Sequence, residues 1–405
     1  MALKKRKVLM LGAGPLQTPA ILELKKMGAY VVCLDYNPAA EGFAYADEAK
    51  VISTTDVEAV CEEFKRQRAD VIMTSASDAP VRVVSEVSER FGLPCALSYE
   101  DACAVTVKSK MRERLRENGV PIPEYRVIQK EGDLFEAYYH DFFNRCILKP
   151  SDNAGSRGVK LLEGKYGIQR LRREYEACKK YAGNGILLAE EVMEGPEVSV
   201  EALTVNGRTQ VIAVTDKVVC EMPYFVEIGH REPTCLPPDV LGHVVSAAKK
   251  AISAMHIQNG PSHTEIIVTK GGPKIVEIAA RLGGDFITSR LVPLSTGISM
   301  VRESVRLSLG EEVVLKKKWD RGAAIRFLFS KADGTFRQAA GIQEAAREHG
   351  IQECCLYVSC GKKVNALRSS SDRVGHIIGI GENGKDAWGN VQRAYDKIRL
   401  VLEHH

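Results

Sequence analysis

The residues best suited to chemistry are two acids and an arginine within the stretch His263 to Arg281. This stretch reads as two β-branched runs joined through Gly271-Gly272-Pro273, a hairpin by composition. If it is symmetric about Gly271, Glu265 and Glu277 stand directly opposite each other, each six residues away. Directly paired residues share a face, and like charges there repel, which a purely structural hairpin does not need. Two facing carboxylates do supply the hard oxygen donors that Mg²⁺ carrying a phosphate requires. Period-2 alternation adds Ala279 and the fixed positive charge of Arg281 to that face. The competing reading is two glutamates on a solvated strand, and a one-residue slip would separate them.

Three other stretches carry reactive types. The apolar strand Cys146 to Pro150 places Lys149 just before Ser151-Asp152-Asn153-Ala154-Gly155-Ser156-Arg157-Gly158. Such a glycine- and hydroxyl-rich loop can aim backbone N–H groups at an anion, although lysine precedes the glycines, unlike in a Walker loop. Ile186 to Glu201 reads as strand, Gly195-Pro196 turn and strand, with Glu190, Glu191, Glu194 and Glu197 inside an apolar context. Backbone groups of such a link suit a flat base, and its acids suit ribose hydroxyls. Between them and the hairpin runs Glu221 to Pro233. There His230 sits between Gly229 and Arg231, a setting that favours exposure in a cleft over burial.

The elements that must position these groups begin with a strand at Lys7–Leu11, a turn Gly12-Ala13-Gly14, a helix to Met27 and a strand Tyr30–Leu34 ending at Asp35. The βαβ opening resembles a dinucleotide fingerprint, but Gln17 stands where the third glycine belongs, so a tight strand-to-helix turn is the better reading. A strand at Val71–Ser75 leads to Ser77-Asp78 and a helix from Val81 to Phe91, stopped by Gly92-Leu93-Pro94. A further helix from Lys108 closes at Asn118-Gly119. The 405 residues, 45% hydrophobic and 27% charged, suit several soluble domains. Lys+Arg 56 against Asp+Glu 52 gives +4, which argues for neither nucleic acid nor membrane. Eleven cysteines without a C-x-x-C spacing read as reduced thiols of a cytoplasmic protein, with vicinal Cys354-Cys355 as core packing. Leu402 to His405 resembles a tag remnant.

In this order the motifs resemble the ATP-grasp superfamily, and the string Glu277-Ile278-Ala279-Ala280-Arg281 resembles its L-amino acid ligases, which are carboxylate–amine ligases. The resemblance implies an α/β and α+β ATP-grasp fold. Its parts would be a Rossmann-like domain over residues 1–107, a small lid subdomain with its linking helix over 108–188, a large subdomain over 189–310 and an α+β part over 311–401. Ser371 to Gly375 resembles the C-terminal domain of such ligases. It implies ATP and Mg²⁺ (or Mn²⁺), with Lys108 and Lys149 on the nucleotide phosphates and Ser156, Arg157 and Gly158 in the loop that closes over them. Glu190, Glu191 and Met193 would meet adenine, Glu197 the ribose, and Glu265 and Glu277 the metal. Arg281 would be catalytic, steadying an acyl phosphate, with His230 and Glu227 toward an amino-acid substrate. Many members carry Asn where this chain has Ala279, which removes one oxygen ligand from a second metal.

The implied reaction joins a carboxylate to an amine (or thiol) through an acyl phosphate, releasing ADP and phosphate. Small molecules would be the only partners, with neither nucleic acid nor membrane, and a homodimer is compatible although no interface stripe stands out. Rival readings are a purine-biosynthesis or carbamoyl-phosphate-type ATP-grasp enzyme, a non-catalytic ATP-binding protein, and an oxidoreductase using the first βαβ unit.

Overall fold

The computed structural model describes residues 6–153, 155–220 and 226–403. Its first sheet is parallel, ordered β3-β2-β1-β4, from β1 (Lys7–Leu11), β2 (Tyr30–Asp35), β3 (Glu48–Val51) and β4 (Val71–Thr74). Parallel strands are buried on both faces, and β1 shows it. Val8 and Met10 pack into one core with Leu291, Val301 and Ile325, while Leu9 and Leu11 pack into another with Val60, Phe64 and Val87. The loop after β1 is the tight turn expected. Ala13 N donates to Asp35 Oδ2 at 2.8 Å, and the buried Gln17 side chain donates to Ser75 O. The acid that a dinucleotide fold would offer to ribose is committed to the loop itself.

The helix Lys108–Glu117 leads to a small antiparallel sheet ordered β5-β8-β6-β7. It comprises β5 (Tyr125–Ile128), β6 (Arg145–Pro150), β7 (Lys160–Glu163) and β8 (Leu187–Glu190), over a core containing Tyr138, Leu148, Leu171 and Tyr175.

The large sheet has eight strands in the order β13-β12-β9-β10-β11-β14-β18-β16. From the middle of the chain come β9 (Glu197–Val205), β10 (Arg208–Val219), β11 (Glu227–Glu232), β12 (Gly260–Thr269) and β13 (Gly272–Ala279). From beyond residue 310 come β14 (Gly322–Phe329), β16 (Ile351–Leu356) and β18 (Arg373–Gly381). Strand β11 pairs directly with β14, so one sheet crosses the expected 310/311 boundary. Strand β14 alternates accordingly: Ala323, Ile325 and Phe327 join the core under the first sheet, and Ala324 and Leu328 join a core with Ile377 and Val391.

A third, small sheet, β17-β15-β19, combines β15 (Gly334–Ala340), β17 (Lys363–Val364) and β19 (Arg399–Glu403). Leu402 and Glu403, in the stretch that resembles a tag remnant, end β19 and pair with Phe336 and Thr335 of β15; His404 and His405 lie outside the described residues. No helix among the described residues is long and apolar enough to cross a membrane.

Candidate active site

The hairpin of β12 and β13 holds Glu265 directly opposite Glu277, but not by the symmetry expected. The turn is Lys270-Gly271, closed by Thr269 paired with Gly272, and that register alone would set Glu265 against Val276. A bulge moves the register by one between Glu265 and Ile266, leaving Val276 as the extra residue. The Val276 carbonyl accepts from Arg112 Nη2 at 2.7 Å, so the residue that corrects the register is held from outside the sheet.

Both acids line a cavity of about 380 Å³ with Lys108, Arg157, Lys217, Glu227, His230, His263 and Arg281. Lys108 heads its helix. Its backbone N–H donates to Ser151 O at 2.6 Å, and its Nζ lies 2.7 Å from Asn153 O and 3.1 Å from Glu277 Oε2. Helix start, phosphate-type loop and metal-type acid are thereby joined at one ammonium group.

Arg281 lies two residues beyond β13 and forms a two-pronged pair with Asp78, at 2.9 and 3.1 Å, at the start of the helix Ala79–Phe91. Burial opposes the charge of Asp78, but Arg281 outweighs it and lowers the carboxyl's pKa.

Lys217, on β10, went unnoticed in the sequence and is the hub of the site. Its Nζ is 2.7 Å from Glu197 Oε1, 2.9 Å from Glu265 Oε1 and 3.3 Å from Glu227 Oε1. Burial would lower its pKa, yet the three carboxylates raise it well above the usual lysine value. Glu265 is correspondingly held well below the usual carboxylate range, against the effect of burial, by Lys217 and His263. His263 is the second omission: Nδ1 is 2.6 Å from Glu201 Oε1 and Nε2 is 3.2 Å from Glu265 Oε1. Burial pulls this imidazole down, but the two acids outweigh it and raise it to about 9. Both omissions left a signal. Asp216-Lys217 interrupts an apolar strand, and His263 precedes Glu265 by two, hence on the same face. Gly283 closes against this pair; a Cβ there would come within 2.8 Å of both Glu201 and His263.

On the far wall, Asp285 in the left-handed region (φ 51°) bridges His230 Nε2 at 3.2 Å and Arg373 Nη1 at 2.8 Å. Arg373 also reaches Glu227 Oε2 at 3.1 Å and stacks over Phe327. His230 does line the cavity, but the exposure expected of it is wrong. It stands inside β11 between two strands, 1% exposed. Glu227 is already paired with Lys217 and Arg373. Glu221 to Phe225, the first part of that stretch, lie outside the described residues.

Of the other expected nucleotide contacts, Lys149, Glu190, Glu191 and Met193 are not among the residues lining this cavity. Lys149 and Glu190 are buried, with Lys149 Nζ 2.7 Å from Glu190 Oε2 and Arg112 Nε 2.8 Å from Glu190 Oε1. Glu190 thus sits at the centre of an internal ion triad with Lys149 and Arg112. Burial draws Lys149 down to about 8, while Arg112 and Lys149 overcome burial to hold Glu190 at about 2. Glu191 and Met193 lie in the link between β8 and β9; Glu191 N donates to Glu124 O at 2.9 Å and its carboxylate pairs with Lys274. Glu197 joins the site through Lys217. Ser156 (φ 56°) and Gly158 (φ 82°) shape the loop, in which Arg157 donates to Asn153 Oδ1 at 2.8 Å; Ala154 is outside the described residues.

The chain is similar to known proteins in the same two parts. Residues 142–289 match the ATP-grasp domain, and 326–403 match the L-amino acid ligase C-terminal domain 2. An uncharacterized protein of Sinorhizobium fredii is 26% identical over 384 residues, 93% of this chain and 78% of that one. The L-arginine-specific L-amino acid ligase of Bacillus subtilis is 24% identical over 67% of this chain and 66% of its own. Among solved structures, L-amino acid ligase from Bacillus licheniformis superposes with a TM-score of 0.83 at 19% identity, covering 100% of both chains. Phosphoribosylglycinamide synthetase from Anaerococcus prevotii gives 0.78 at 18% identity, covering 99% of this chain and 100% of that one. The chain thus carries an ATP-grasp domain followed by an L-amino acid ligase C-terminal domain, and it is similar in sequence to L-amino acid ligases and in fold to ATP-grasp ligases.

Proposed function

We propose that this protein activates an amino-acid-like carboxylate with ATP and passes it to an amine. The observation that carries the reading is the cavity itself, where facing Glu265 and Glu277 meet Lys108, Lys217 and Arg281. A carboxylate oxygen attacks the γ-phosphorus, ADP leaves, and an acyl phosphate forms. The amine nitrogen then displaces phosphate, which carries away the surplus proton. Both steps gather negative charge, so positioning and charge compensation provide most of the rate.

Lys108 binds a phosphate oxygen from the helix start, beside the loop that carries Ser156, Arg157 and Gly158. Arg281 exchanges Asp78 for the acyl phosphate, whose oxygens suit its planar fork as the aspartate does. Asp285, shared by His230 and Arg373, fixes the wall on which the substrate's own charged groups are read. Glu265 and Glu277 fit Mg²⁺: their donors are hard oxygens, paired across the hairpin and now neutralised by internal cations. When bound, the metal supplies charge neutralisation at the transferring phosphate. Ala279, buried opposite His263, offers no further oxygen, and the donor set suits one cation better than two.

Incubation with ATP, Mg²⁺ and pooled amino acids, read as phosphate release, tests this directly. Release that requires an amino acid supports the reading. ATP turnover indifferent to amino acids, or none with any of them, contradicts it.

A further inference from the structure

We propose that Glu353, Cys355 and His376 form a second metal site, for Zn²⁺ or a cation of the same borderline character. It lies at the opposite edge of the large sheet from the hairpin acids and does not depend on the ligase reading. Strand β16 is the last of the sheet. In it Cys355 pairs directly with His376 of β18, and Glu353 stands two residues before Cys355, so alternation brings all three to one face. Their ligand atoms lie within 4.8 Å of one another. His376 Nε2 is 3.0 Å from Glu353 Oε1, and Cys355 Sγ is 3.5 Å from that same oxygen. Tetrahedral zinc with one sulfur, one nitrogen and one oxygen ligand separates its donor atoms by about 3.3–3.6 Å. The set is therefore close to a binding geometry before any metal arrives.

Thiolate, imidazole and carboxylate together select against Mg²⁺ and for zinc-like ions. The imidazole is already oriented from behind, as a ligating histidine is. Tyr357 OH lies 2.5 Å from His376 Nδ1, which leaves Nε2 for the metal. Arg290 Nε lies 3.4 Å from Glu353 Oε2, so that oxygen is occupied while Oε1 faces the cluster; the charge of Arg290 opposes a bound cation. The Cys355 thiol donates to Glu353 Oε1, and burial together with that carboxylate raises its pKa. A metal replaces this proton, and binding releases it. Three protein ligands leave a fourth position for water. The neighbouring Cys354 is excluded, since it packs on the other face with Ile351 and Leu356 against the core around Ile377.

Co²⁺ tests the proposal, because a cobalt–thiolate bond absorbs in the near ultraviolet and the all-oxygen acids at the hairpin give no such band. The full chain, with excess Mg²⁺ present, should develop the band with an equimolar endpoint, and added Zn²⁺ should abolish it. Cys355→Ser should remove the band, Cys354→Ser should retain it, and Tyr357→Phe should weaken binding about 10- to 100-fold. Glu353→Gln keeps the thiol and should weaken cobalt at least tenfold, which gives an answer even if Cys355→Ser fails to fold. No band in the wild type, a band unchanged in Cys355→Ser, or affinity unchanged in Glu353→Gln overturns the proposal.

Discussion

The two edges of the large sheet pair residues by one device, and the two sites proposed there differ in chemistry. At the β12–β13 edge the ladder sets Glu265 against Glu277; at the β16–β18 edge it sets Cys355 against His376. Each pairing is unfavourable or idle as structure and becomes intelligible as a ligand set. Residue type decides what binds. Two carboxylates, neutralised by Lys108 and Lys217, suit a hard cation on phosphate, whereas sulfur and nitrogen suit a softer one. An edge has a neighbouring strand on one side only, so ligands can approach without opening the sheet.

The largest effect that would sharpen the contrast is at the hairpin edge. Lys217→Met removes a buried cation from among three carboxylates, and the loss should be about 3–5 kcal/mol in urea unfolding. Arg290→Ala at the other edge, where the arginine is mostly exposed, should cost under about 1 kcal/mol. Equal losses would break the comparison. Next, Arg281→Ala should lower ligation by about 10²–10³-fold, within the range for a lost oxyanion contact, while Cys355→Ser should ligate at the wild-type rate. Unchanged turnover in Arg281→Ala would remove the assignment.

A further effect belongs to mid-sheet, where Glu232 is wholly buried between the hydroxyls of Thr215 and Ser295. Burial raises its pKa to about 7, above its value in an unfolded chain. Folded protein therefore holds the proton that unfolded protein has lost, and the associated stability is full below about pH 4.5 and disappears as pH rises through 7. Glu232→Gln should flatten that decline, leaving the variant about 2 kcal/mol better placed at pH 8 than at pH 5 relative to wild type. A parallel pH profile would refute it.

These differences track what could be read from the chain. The hairpin edge was legible because its strands adjoin in sequence, so counting from the turn approximates the register. Even so, the pairing survives only through a bulge at Val276 that nothing in the composition signals. The other edge was not legible, since Cys355 and His376 are separated by an intervening strand and a short helical turn, and nothing local fixes their register. Cys354 and Cys355 looked alike as core residues, but alternation sends only Cys354 to the core. The order of strands and helices followed from apolar runs, Pro and Gly. Lys149 and Glu190 show the limit: both residues were singled out, but their pairing with each other and with Arg112 depends on how the helix Lys108–Glu117 packs against β6 and β8.

The most direct measurement is trapping of the activated carboxylate by hydroxylamine, with ATP, Mg²⁺ and an amino acid but no acceptor amine. Wild-type protein should yield hydroxamate and ADP in equal amounts, and Glu277→Gln should lose at least about 10²-fold of both. ADP formed without hydroxamate, or a Glu277→Gln variant as active as wild type, would contradict the account.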